Sequence, residues 1–116
     1  MHALPQAMWL AAMALLAVPF NAMAGQVDPL PTYTIVSRNG VLTPGRIDVP
    51  AGKRLRLNLQ NEGPGPMEFE NLDLRVEKVL GAGARSFVIT PPLKPGITVF
   101  VDEFHPDTGR VEFMAR

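Results

Sequence analysis

The stretch of the chain with the clearest chemical potential is VDEFHPDTG, residues 101–109. It places two adjacent carboxylates, Asp102 and Glu103, just before His105, and His2 is the only other histidine in the sequence. Carboxylate oxygen and imidazole nitrogen are both common metal ligands, so this grouping is typical of a metal site. The alternative is a solvated turn in which the acids hydrogen-bond nearby backbone groups.

The residues that precede this turn alternate as a β-strand does. Alternation gives one face to Thr98, Phe100 and Asp102, and the other to Ile97, Val99, Val101 and Glu103. Apolar residues on both faces indicate a strand near the middle of a sandwich, so Asp102 interrupts a buried run. A buried carboxylate is costly unless it is paired or bound to a cation. We therefore expect Asp102 and His105 to share an ion, with Glu103 facing solvent or serving as an outer ligand.

A second group of acids follows the loop NEGPGP. MEFEN contributes Glu68 and Glu70, and LRVEK contributes Glu77. Strand alternation places Met67 on the face opposite the first two glutamates, where a methionine is more often core than ligand. The alternative interpretation of the three glutamates is a solvent-exposed strand face and an ordinary exposed Glu–Lys pair.

Composition excludes several classes of protein. The chain has no cysteine, which removes disulfides, thiolate ligands and cysteine nucleophiles. Its eleven basic and eleven acidic residues give a net charge of zero, so nothing favours binding to nucleic acid or to an anionic membrane. Ser37 and Ser86 have no acid–base partner in the sequence pattern, and the glycine-rich GAGA precedes a strand rather than a helix. Hydrolase and nucleotide-binding functions are set aside.

The N-terminal region predicts export. Residues 1–24 contain no acidic, lysine or arginine side chain, residues 8–20 are nearly all apolar, and Ala22 and Ala24 form an A-x-A cleavage pattern. We expect a cleaved secretory signal, a periplasmic location and no membrane span in the mature form. The alternative is that the segment is retained as a membrane anchor. Residues 25–31 are expected to be a flexible lead-in to one domain, residues 32–116.

The rest of the chain is organised as short strands. Glycine and proline separate runs rich in Val, Ile, Leu, Phe and Thr, and no helical period persists over three turns. The clearest strand is RLRLNLQN, residues 54–61, in which three leucines alternate with polar residues. Seven to eight strands at spacings of about 8–12 residues predict an all-β, antiparallel β-sandwich.

The motif Gly96-x-Thr98-x-Phe100-x-Asp102-x-x-His105 resembles the end of the metal-binding strand of cupredoxins of the plastocyanin type. VPAGKRLRLNLQNEG and the closing GRVEF are also similar, so the resemblance spans residues 32–115 and implies a cupredoxin-like Greek-key β-sandwich. Asp102 stands where the copper-binding cysteine would be, and the usual axial methionine is missing. A blue-copper centre of the His₂Cys type therefore cannot form.

The acidic motifs are similar to those in cupredoxin domains of bacterial periplasmic iron-uptake systems, which work beside iron permeases. This resemblance implies copper and/or iron as the bound ion, with a membrane iron permease and other periplasmic iron-uptake proteins as partners. It also implies assistance with Fe²⁺ oxidation, an activity of the ferroxidase type. The implied ligands are Glu68, Glu70, Glu77, Asp102 and His105. Met67 occupies the position of the first histidine ligand of the family.

Two other functions stay open. One is a periplasmic copper carrier using Met67, Met114 and His105, which would prefer Cu(I) because thioether sulfur is a soft ligand. The other is a metal-free β-sandwich that acts as an interaction module. Oxygen ligands with one imidazole instead suit iron, manganese or Cu(II).

Overall fold

The computed structural model describes residues 29–116, so the expected signal and most of the lead-in lie outside the described residues. No helix in the described part of the chain is long and apolar enough to cross a membrane. Within residues 29–116 the chain forms nine strands and no helix: β1 (Thr32–Arg38), β2 (Val41–Thr43), β3 (Arg46–Val49), β4 (Leu55–Asn61), β5 (Met67–Asn71), β6 (Val76–Leu80), β7 (Arg85–Thr90), β8 (Gly96–Asp102) and β9 (Arg110–Ala115).

The strands form two sheets that pack as a sandwich. One sheet has the order β2-β1-β4-β7 and the other β3-β9-β8-β5-β6. The predicted all-β sandwich is confirmed, but β1 pairs with β4 and β3 pairs with β9 in parallel, whereas strand spacing predicts antiparallel neighbours. The difference arises because the chain changes sheet after β2 and again after β3. Turn residues mark where strands end and not which sheet the next strand joins.

The core lies between the sheets and is built by strict alternation. The three leucines of β4 point inward and are fully buried. Phe100 stacks on Phe69 with ring centroids 4.9 Å apart and meets Phe113 edge-on at 5.2 Å. Offset and edge-to-face aromatic pairs add to the free energy gained from burial. This packing fixes the middle of β5, β8 and β9, the part of the sheet next to the acidic residues.

The β1–β2 connection brings a glycine against the predicted site. Asn39 and Gly40 both have positive φ, 50° and 74°, as a two-residue hairpin turn requires. A Cβ on Gly40 would lie 2.6 Å from Cδ2 of His105. Only a glycine therefore allows the hairpin to approach the imidazole this closely.

Candidate metal centre

Three glutamates converge on the outer face of the five-stranded sheet. Glu68 and Glu70 leave β5 on the side away from the core, and Glu77 of β6 lies directly opposite Glu70. Each offers a carboxylate oxygen, and the three oxygens lie within 4.8 Å of one another. Ligands around a hard divalent ion lie about 2.0–2.6 Å from it, so small side-chain rotations would let all three bind one ion.

A fourth carboxylate completes the group. Glu103 follows the end of β8, and its backbone N–H donates to the carbonyl of Glu68 at 2.8 Å. Its side chain points to the same outer face and shares a hydrogen bond with the carboxyl of Glu70. We refer to Glu68, Glu70, Glu77 and Glu103 as the glutamate cluster. They line one cavity of about 510 Å³, whose remaining lining residues are the exposed side chains of Leu72 and Phe104.

Hydrogen bonds between carboxyl groups, together with burial, change the protonation of the cluster. The pKa of Glu70 is raised to about 7, first because its carboxyl shares a hydrogen bond with Glu103 and then because burial removes solvent. The pKa of Glu68 is also raised, first through its hydrogen bond with Glu77 and then by burial. Carboxylates this close cannot all ionise freely, so near pH 7 Glu70 carries a proton in part of the metal-free molecules. A cation bound there would replace the proton.

Asp102 lies on the other side of the sheet from the glutamate cluster. It is opposite Phe69 in the β5–β8 register and shares the core face with that ring, with an exposed fraction of 0%. Its Oδ1 accepts the backbone N–H groups of Glu68 and Phe104, each at 3.0 Å, and its Oδ2 lies 2.9 Å from Nδ1 of His105. Both carboxylate oxygens therefore have hydrogen-bond partners within the protein, as is usual for a buried polar group.

His105 lines a different cavity from the one that the glutamate cluster lines. Its side chain is 42% exposed and borders a cavity of about 260 Å³ between the β1–β2 turn and the loop from β4 to β5. The sequence-predicted ligands thus form two groups, the three glutamates on the outer face and the Asp102–His105 pair at the end of β8. The structure brings each group together but does not join them into one ligand set. Coordination by Asp102 or His105 stays a prediction.

The methionines of the copper-carrier alternative are separated. Met67 is buried in the core, in line with its expected packing role. Met114 lies on the outer face of β9 and pairs with Ile97 of β8. Ile97 is five residues before Asp102 in that strand. At about 3.3 Å per strand residue, that offset places Met114 on the order of 16 Å along the strand from the Asp102 position. The described structure does not bring Met67 and Met114 to one side of the sheet.

Glu103 is expected from the sequence to face solvent or to serve as an outer ligand, and not to belong to the glutamate group. Its alternation with Asp102 correctly predicts an outward side chain, but its closeness to Glu70 depends on the pairing of β5 with β8. Those strands are separated by more than twenty residues in the chain, and no local pattern gives their register. The signal present in the sequence was that Glu68, Glu70, Glu77 and Glu103 all occupy outward positions, although Val79 and Val101 lie among them on the same face.

Comparison with known proteins supports the fold and the family. Residues 6–112 match the cupredoxin-like domain family. The chain is 32% identical over 83 residues to an uncharacterized protein of Rickettsia prowazekii (strain Madrid E), a match that covers 72% of this chain and 66% of that protein.

Solved structures with the same fold include copper proteins. The metal-binding domain of the Cu(I)-exporting P-type ATPase CopA of Streptococcus pneumoniae D39 aligns with a TM-score of 0.61 at 11% identity, covering 73% of this chain and 84% of that domain. Reduced auracyanin of Roseiflexus castenholzii aligns at 0.63 and 14%, covering 77% and 99%. Auracyanin A of Chloroflexus aurantiacus, described as a blue copper protein, aligns at 0.61 and 9%, covering 76% and 100%. At these identities the likeness establishes a shared fold.

Proposed function

Because the chain belongs to the cupredoxin-like domain family, we propose that it binds a metal ion, and that the ion site is the glutamate cluster rather than a blue-copper centre. One observation carries this proposal: three carboxylate oxygens from two adjacent strands lie within 4.8 Å of one another. The fourth glutamate, Glu103, adjoins them and shares a hydrogen bond with Glu70. The pKa of Glu70, raised first by its hydrogen bond with Glu103 and then by burial, supports a site at which a cation would replace a proton.

The residues at the end of β8 do not fit a blue-copper centre. That centre needs a thiolate, and the sequence contains no cysteine. Asp102 occupies the position where the resemblance places the thiolate, but both of its oxygens accept hydrogen bonds from the protein. The chemistry of the available donors favours the outer face, where all the donor atoms are carboxylate oxygens.

Carboxylate oxygen prefers hard metal ions, which limits the metals that the cluster would bind. Fe³⁺, Mn²⁺ and Cu²⁺ suit such ligands, whereas Cu(I) prefers sulfur. An anionic site also binds Fe³⁺ more strongly than Fe²⁺, because the attraction grows with the charge of the ion. We propose that the protein serves a ferrous-iron uptake system in the periplasm and delivers iron to a membrane permease. The export pattern of residues 1–24, the acidic motifs and the donor chemistry of the cluster support this role.

The protein would also assist the oxidation of Fe²⁺ to Fe³⁺ before the iron is delivered. Conversion of Fe²⁺ to Fe³⁺ releases one electron, which needs an acceptor, and a Cu²⁺ ion bound close to the iron, not in its place, would accept it by becoming Cu⁺. The carboxylates would favour the Fe³⁺ product by charge. Accelerated loss of Fe²⁺ in the presence of copper-loaded protein, compared with free Cu²⁺, is the measurement that tests this step.

Calorimetric titration tests ion binding directly. Residues 25–116 are titrated with Mn²⁺, with Cu²⁺ and, without oxygen, with Fe²⁺, and then the Glu70→Gln variant is compared. We expect one ion per chain and an affinity loss of at least about tenfold in the variant, because a charged ligand is replaced by a neutral one. Glu112→Gln, on the same outer face but two strands away from β5, is the matched control.

The titration has clear contrary outcomes. Absence of saturable binding to any of the ions, or equal affinity in wild type and Glu70→Gln, would contradict the proposal. A preference for Cu(I) over Cu²⁺ and iron would favour the copper-carrier alternative.

A further inference from the structure

The buried carboxylate of Asp102 connects the two chain segments that carry the glutamate cluster. One oxygen, Oδ1, accepts the N–H of Glu68 near the start of β5 and the N–H of Phe104 in the turn after β8. These two amides flank the cluster from different parts of the chain, one in β5 and one in the turn after β8, where Phe104 immediately follows Glu103. A single acceptor atom therefore fixes the distance between the backbone at Glu68 and the backbone beside Glu103.

Further hydrogen bonds hold the carboxylate itself in place. Asp102 donates its own N–H to the carbonyl of Gly109 at 2.7 Å, and its carbonyl accepts the N–H of His105 at 2.9 Å. Its second oxygen, Oδ2, lies 2.9 Å from Nδ1 of His105, whose ring packs against the β1–β2 turn. Asp102 thus cannot turn toward the outer face without breaking its bonds to the part-buried amides of Glu68 and Phe104, which costs free energy.

We propose that Asp102 is a positioning residue for the glutamate cluster: it holds Glu68 and Glu103 at the spacing that an ion requires and does not itself bind the ion. This inference rests on the proposed function of the cluster. Its physical basis is that Asp102 lies on the core face of β8, whereas the four glutamates leave the other face. Substitution of residues that orient metal ligands through hydrogen bonds typically lowers metal affinity by about 10–100-fold.

Two substitutions at this position separate positioning from ligation. Asp102→Asn keeps an oxygen that can accept both amides, whereas Asp102→Ala removes the acceptor. We expect Asp102→Asn to retain Mn²⁺ affinity within about threefold and Asp102→Ala to lose at least about tenfold, the size seen for outer-shell partners. A direct ligand role predicts instead that both variants lose affinity, because a neutral amide is a weaker ligand than a carboxylate.

Two further readouts do not depend on Mn²⁺ affinity. In metal-free protein, the amides of Glu68 and Phe104 should exchange with deuterium much faster in Asp102→Ala than in wild type, and should stay protected in Asp102→Asn. The electron paramagnetic resonance spectrum of bound Cu²⁺ should be the same in Asp102→Asn and wild type, because the atoms bound to copper are unchanged. A changed spectrum in that variant would overturn the inference.

The outcomes distinguish this inference from the proposed function. If wild type binds no ion, the proposed function fails. If wild type binds and Glu70→Gln does not, while Asp102→Ala keeps full affinity, the cluster is the site and the positioning role is wrong. If Asp102→Ala does not fold, Asp102→Asn decides alone, since retained affinity with an unchanged Cu²⁺ spectrum supports positioning and loss of affinity refutes it.

Discussion

The affinity of the glutamate cluster for a divalent ion is expected to depend on pH, because Glu70 holds a proton that the ion must displace. Its pKa is raised to about 7, chiefly by the hydrogen bond with Glu103 and then by burial. An ordinary glutamate is almost fully ionised above about pH 6 and would give no such dependence near neutrality. Lowering the pH through 7 therefore removes the ionised form that the metal needs.

The size of the effect follows from the pKa. A group with a pKa of about 7 is ionised in roughly a tenth of the molecules at about pH 6 and in roughly nine tenths at about pH 8. Since the apparent dissociation constant is the intrinsic one divided by the competent fraction, Mn²⁺ should bind about tenfold more tightly at the higher pH. The raised pKa of Glu68 acts in the same direction.

Calorimetry in buffers of different ionisation enthalpy measures both the affinity and the protons released. We expect somewhat less than one proton per ion from Glu70 at about pH 6.5, falling toward none above about pH 8. In Glu70→Gln the steep change near pH 7 should be reduced, whereas Glu112→Gln should behave as wild type. An affinity independent of pH between about 6 and 8, or the same dependence in Glu70→Gln, would refute the reasoning.

Two further predictions concern stability. The pKa of Glu70 is higher in the folded protein than in the unfolded chain, so this group stabilises the metal-free fold fully below about pH 4.5 and stops doing so as the pH rises through about 7. Thermal denaturation of wild type and Glu70→Gln across this pH range measures the difference. Gly109→Ala should destabilise the fold by about 1–3 kcal/mol, because the new Cβ would lie 2.6 Å from Cβ of Asp102 and 2.9 Å from the carbonyl oxygen of His105. Urea denaturation measures this loss, with Gly45→Ala, where no atom lies within 4 Å, as the control; equal stability of the two variants would contradict the packing argument.

Strand alternation in the sequence predicts much of the fold. The alternating leucines of β4 and the inward position of Asp102 follow from the period of two, and both are confirmed. Glycine and proline correctly mark the turns, including Asn39–Gly40. The two parallel pairings are not predictable in this way, because they arise from long-range changes of sheet.

The arrangement of the candidate site depends on strand register, which the sequence does not supply. Alternation alone states that Asp102 faces away from Glu103, and that Glu68 faces away from Met67. The pairing of Phe69 with Asp102 adds that the aspartate shares the core side of the sheet with that ring, whereas Glu68 lies on the outer side. A shift of one residue would have placed Asp102 beside the glutamates, because each single step exchanges the two faces.

The most direct measurement of where the ion binds is anomalous X-ray diffraction from crystals of the protein grown with Mn²⁺. The proposed function predicts one strong peak on the outer face, about 2.0–2.4 Å from carboxylate oxygens of Glu68, Glu70 and Glu77, with Asp102 still hydrogen-bonded to His105. A peak bound to Asp102 or His105, or a peak absent from the glutamate cluster, would contradict the account.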